Sequence, residues 1–94
     1  MQVNEMFILG LSDEEFSDLV RDGNRHELTS HLYRIQRISS MYYDFKLHTS
    51  TLSDCTTDQM NCGNYIRIVS FSALKKYNPI KVRVDILGNI ILPF

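Results

Sequence analysis

Tryptophan is absent, and proline, cysteine and glycine are scarce, at two, two and four residues. Such low proline and glycine content excludes a collagen-like or low-complexity chain. Two cysteines exclude the dense disulfide frameworks of small secreted domains. No apolar run approaches the roughly 18 residues of a membrane span. The start, Met1-Gln2-Val3-Asn4-Glu5, has no basic region and no small-residue cleavage site after it, so no signal peptide is expected and a cytoplasmic compartment is. There is no glycine-rich phosphate loop, G-x-S-x-G elbow or H-E-x-x-H helix. The commonest routes to catalysis are therefore missing.

What remains is ordinary globular material. Apolar residues make up 44% of the 94 and charged residues 22%, enough for one domain with a modest core. The net charge of −1 hides an uneven distribution. Residues 1–24 carry Glu5, Asp13, Glu14, Glu15, Asp18 and Asp22 against Arg21 alone. Residues 65–94 carry Arg67, Lys75, Lys76, Lys81 and Arg83 against Asp85 alone. The plain account is that acids favour the first helix and bases solubilise a sheet; the sharper one is a basic contact surface.

Met6-Phe7-Ile8-Leu9, followed by Gly10, reads as a short strand. Ser12 and Glu15 form a capping-box pattern, with Leu11 and Phe16 at the staple positions and Phe16, Leu19 and Val20 as the buried stripe. Gly23 supplies a stop, and Asn24 with Glu27 repeats the cap for a second helix. Leu28, Leu32, Ile35 and Ile38 then recur at helical spacing, which predicts a helix over about 25–40 with Arg34 and Arg37 on a solvated side. Tyr43, Phe45 and Leu47 alternate with polar residues as a strand does, and Tyr65 to Phe71 reads as another, with a bulge or two-sided burial at Val69 and Phe71. Between them, residues 49–64 form a long polar loop, a candidate binding loop. Ser72 to Tyr77 suits one helical turn, ended by Asn78-Pro79.

The chain closes on a predicted hairpin. Val82, Val84 and Ile86 alternate with Lys81, Arg83 and Asp85. A two-residue loop at Gly88-Asn89 would send Ile90, Leu92 and Phe94 to the polar side. A three-residue loop, Leu87-Gly88-Asn89, pairs Ile86 with Ile90 and Val84 with Leu92 and gathers the apolar residues on one face, with Asn89 left-handed. Burial favours the second register. The expectation is an α+β domain: two N-terminal helices on one face of a small, mostly antiparallel sheet of four to five strands, ending in a C-terminal β-hairpin.

Candidate chemistry is thin. Cys55 and Cys62, separated by six residues and near His48, Asp54 and Asp58, match neither common zinc spacings nor a calcium loop, and a cytosolic chain holds them as thiols. His26 and His31, five apart, do not share a helix face, and His31 suits a boundary position. No metal or cofactor is expected.

If the helices cover the face carrying Val82 and Val84, the opposite face presents Tyr42, Lys46, His48, Tyr65, Arg67, Lys81 and Arg83. Arginine and tyrosine are enriched at interface hot spots, and a basic face with tyrosines also suits nucleic acid; a merely solvated face carries the same residues. The element order, strand–helix–helix–strand–strand–strand, resembles the RelE/ParE class of small toxins in topology alone. That resemblance implies RNA cleavage by Arg, Lys, Tyr and His on the open sheet. With no catalytic motif present, the first reading is a protein-binding inhibitor or adaptor, of a kind often encoded by phages or mobile elements. The alternative is a nucleic-acid-binding protein or RelE/ParE-like ribonuclease on the same residues, and a homodimer through an edge strand fits either.

Overall fold

A computed structural model describes residues 1–2, 4–48 and 65–91. Six strands form one antiparallel sheet in the order β4-β3-β2-β1-β5-β6. They are β1 (Met6–Ile8), β2 (Leu32–Ile38), β3 (Tyr43–Leu47), β4 (Tyr65–Ile68), β5 (Ile80–Val84) and β6 (Ile90–Ile91). Helices α1 (Asp13–Arg21) and α2 (Arg25–Thr29) connect β1 to β2, and α3 (Phe71–Lys76) connects β4 to β5. The α+β class, the helix pair and the closing hairpin are as the sequence leads one to expect, with one or two strands more. The segment 49–64, with Cys55, Cys62, Asp54 and Asp58, lies outside the described residues, as do Leu92 and Phe94.

The strand β1 divides the core in two. Met6 and Ile8 point to one face, where they pack with Val20, Leu28, Leu32 and Ile90 under α1 and α2. Phe7 joins Leu9, Ile35, Phe45, Ile68 and Leu74 on the other, where α3 lies. The strand alternation of side chains thus sends one three-residue segment into both cores.

The α1 start behaves as its sequence dictates. Ser12 accepts a hydrogen bond from the Glu15 amide at 3.0 Å, and the Glu15 carboxylate accepts from the Ser12 amide at 3.0 Å. Asp22 caps the C-terminus and Gly23 follows at φ +68, a left-handed position natural for glycine. Asn24 then accepts from the Glu27 amide, starting α2.

The helix expected over 25–40 is overturned beyond Thr29: only five residues are helical, and Leu32–Ile38 is a strand. The apparent helical period combines two different cores. Leu28 and Leu32 belong to the core under α1 and α2, whereas Ile35 and Ile38 pack on the α3 side. Ile35 and Ile38 reach the same side, though three apart, because a bulge between Ile35 and Arg37 adds one residue to β2. The Thr29 and Ser30 hydroxyls donate to the Arg25 and Glu27 carbonyls, competing with a further helical turn.

The closing hairpin keeps the expected face but not the expected loop. Val84 pairs with Ile90 and Arg83 with Ile91, so a five-residue loop, 85–89, joins β5 and β6. Val82, Val84 and Ile90 do reach one core. Ile86 does not pair with Ile90; it is fully exposed in the loop. Asp85 accounts for the difference, since one carboxylate oxygen accepts from the amides of Leu87 and Asn89, each at 2.9 Å. Gly88, at φ +83, takes the left-handed position assigned by sequence to Asn89. Strand β4 ends at Ile68, Val69 is exposed rather than buried or bulged, and Phe71 opens α3.

The fully buried Phe45 packs edge-on against Phe7, with ring centroids 6.2 Å apart. Phe45→Ala is expected to cost about 3–5 kcal/mol. Phe71→Ala, at an exposed position, should stay within about 0.5 kcal/mol. Urea unfolding of the two variants checks the contrast.

Candidate functional site

The helices α1 and α2 cover only the β1–β5–β6 half of their face of the sheet. On the β2–β4 half of that face, register places Arg34, Arg37, Asp44, Lys46, Tyr65 and Arg67 together, through the pairs Arg34↔Lys46, Arg37↔Asp44, Asp44↔Arg67 and Lys46↔Tyr65. Tyr42, just before β3, brings its ring against the guanidiniums of Arg67 at 4.0 Å and Arg37 at 5.5 Å. Of the residues singled out by sequence, Tyr42, Lys46, Tyr65 and Arg67 therefore meet, and His48 extends the group along β3.

Lys81 and Arg83 do not meet them. Lys81 pairs in register with Phe7, which places it and Arg83 on the α3 side of β5, across the sheet from the cluster. Lys81 also forms an ion pair with Glu5 at 3.6 Å. The separation follows from having helices on both faces: the sheet has no single uncovered side to collect every base. Arg34, Arg37 and Gln36, read from sequence as part of a helix, join the site instead. Had the β-prone run Leu32–Ile38 been taken as a strand, alternation would have put Arg34 beside Lys46.

Asp44 anchors the cluster. It is wholly buried, and Arg67 donates to its two oxygens at 2.8 and 3.0 Å, a bidentate pair. The Asp44 hydrogen bonds hold the Arg67 guanidinium in its charged form and push its pKa further up, against the opposing effect of burial. The Tyr65 hydroxyl is buried beside this pair without a hydrogen bond of its own. Burial first, and then the neighbouring Asp44 carboxylate, push the Tyr65 pKa well above its ordinary value of 10. At this end of the site the Asp44–Arg67 pair is satisfied and the Tyr65 hydroxyl is not.

The other end is open. Arg34, Gln36, Lys46, Leu47 and His48 line a cavity of about 270 Å³. The 85–89 loop reaches this end of the site, where a Cβ added to Gly88 would stand 3.1 Å from His48 Nε2. The loop thus sets Ile86 and Leu87, 102% and 81% exposed, near the basic cavity.

His31 donates through Nδ1 to the Leu9 carbonyl, 3.0 Å away, and is a satisfied boundary residue as its position suggests. No group of three or more metal-ligating side chains occurs among the described residues. None of their helices is long and apolar enough to cross a membrane. No family model, no curated protein and no solved structure matches the chain.

Removing Asp44 takes from Arg67 the buried carboxylate that it grips with two hydrogen bonds. Asp44→Ala is expected to destabilise the fold by about 3–5 kcal/mol, and the double variant Asp44→Leu/Arg67→Met should regain most of that loss. Denaturant midpoints of the three proteins decide it. Tyr65 adds a pH dependence of definite sign. Its folded pKa is raised, so the unfolded chain releases the proton first, and stability should be complete below pH 10 and fall as pH rises above it. Tyr33, raised by burial, contributes in the same direction. Unfolding curves between pH 8 and pH 11, to within about 0.3 pH units, should show a shallower decline in Tyr65→Phe.

Proposed function

We propose that this chain is a small protein-binding module that acts by occupying a partner's surface with the open β2–β4 half of its sheet. The observation that carries this reading is the close approach of Gly88 to His48, which brings an exposed aliphatic loop tip to a basic cavity. Protein interfaces combine apolar anchors with a polar rim, and Ile86 and Leu87 would be the anchors while Arg34 and Lys46 meet acidic groups. The Asp85 hydrogen bonds fix the loop in advance, which lowers the entropy lost on docking.

The tyrosines favour a protein over single-stranded nucleic acid. Base stacking needs free aromatic faces, yet Tyr42 lies against two guanidiniums and the Tyr65 hydroxyl is buried beside Asp44. The RelE/ParE-like ribonuclease reading has the further difficulty that Lys81 and Arg83 stand on the other side of the sheet.

The test is capture from a lysate of the source cells, followed by mass spectrometry. A specific partner should be retained by the wild type and lost by both Ile86→Ser/Leu87→Ser and Arg34→Glu/Lys46→Glu. Loss should be at least about tenfold in affinity for each pair, as expected for disrupted anchors or reversed charge. Retention by both variants, or capture of RNA in place of protein, overturns the proposal.

A further inference from the structure

The cavity at the open end has an unusual charge arrangement. Arg34 and Lys46 are direct partners across the β2–β3 ladder. Their Cβ atoms are therefore about 5 Å apart, and like charges directly opposite destabilise a sheet. A pair of this kind is normally relieved by an acid nearby, but neither side chain has an ion-pair or hydrogen-bond partner among the described residues. The nearest buried acid on this face, Asp44, is held at both oxygens by Arg67. The cavity lining adds the Gln36 amide and the His48 imidazole, and among the described residues it holds no carboxylate. Local arrangements that oppose stability without an evident structural gain are expected at functional positions.

We infer that this block is a phosphate site, and that the partner segment it receives carries a phosphomonoester, as a phosphoserine or phosphothreonine peptide does. The inference rests on the protein-binding reading above. Charge and donor count select the ligand. Arg34 and Lys46 bring two permanent positive charges, and one carboxylate would neutralise only half of that. A phosphomonoester brings about −1.5 to −2 and three strong acceptor oxygens. The guanidinium fork, the ammonium, the amide and an imidazole N–H can all donate to them. Charge separates a monoester from a nucleic-acid backbone: the monoester ends in one nearly doubly charged group, whereas a polynucleotide offers a track of singly charged diesters.

The unliganded protein supplies a readout independent of any partner. Lys46→Met removes the like-charge opposition, so it should fold and be as stable as the wild type or more so in phosphate-free buffer. Inorganic phosphate should raise the melting temperature of the wild type and not that of Lys46→Met or Arg34→Met. In ¹H–¹⁵N spectra it should shift Arg34, Gln36, Lys46 and His48 saturably, with acetate at least about tenfold weaker, the discrimination expected for about 1.4 kcal/mol. A phosphoserine peptide should bind better than its glutamate counterpart, and both better than a single-stranded oligonucleotide of internal diesters. Shifts that do not saturate, or that persist in Lys46→Met, overturn the phosphate site. Equal binding of the phosphoserine and glutamate peptides overturns it while leaving the protein-binding reading intact. Preference for the oligonucleotide overturns both.

Discussion

The strand β1 is the constraint from which the rest of the molecule follows. It is three residues long, hydrogen-bonded to β2 on one side and β5 on the other, and buried on both faces. Paired on both edges, Met6, Phe7 and Ile8 satisfy their backbone while their side chains enter two separate cores. With β1 central, α1 and α2 are committed to the β5–β6 side of one face. The β2–β4 half of that face is left uncovered, and there the basic cluster lies. The position of the candidate site is thus a consequence of packing, and the buried Asp44–Arg67 pair ties β3 to β4 within it.

Local signals were legible wherever one core set the pattern. Ser12, Glu15, Gly23 and Asn24 specify the ends of α1 and the start of α2 through hydrogen bonds made within a few residues. Tyr43, Phe45 and Leu47 keep one face and read as a strand. The signal failed in β2, because its apolar residues face two cores and a bulge shifts their phase. The spacing of Leu28, Leu32, Ile35 and Ile38 then imitates a helix although no helix face is involved. Identity of side chains does not encode which core each one serves.

Taking Arg34 and Arg37 as helical removed them from the sheet, and treating one sheet face as open placed Lys81 and Arg83 among the candidates. Tyr42, Lys46, Tyr65 and Arg67 lie together because β3 and β4 follow simple alternation. Asp44 carried no distinguishing mark in sequence: a lone acid in a strand looks solvated until its cross-strand partner proves to be Arg67. In the hairpin, the face was set by burial of Val84 and Ile90, whereas the loop length was set by the Asp85 carboxylate, an interaction that hydrophobic alternation does not register.

The pairing of β1 with β5 joins residues 6–8 to residues 80–82, near opposite ends of the chain. Most other strand neighbours are closer in sequence, and β2–β3 is nearly local. Closing so long a loop costs entropy before the pairing returns anything. Until β5 pairs with it, β1 has one hydrogen-bonding edge bare. An apolar strand with a bare edge invites pairing with other chains. Its length of three residues limits that hazard, keeping the central strand of the finished sheet a poor template for aggregation while it waits.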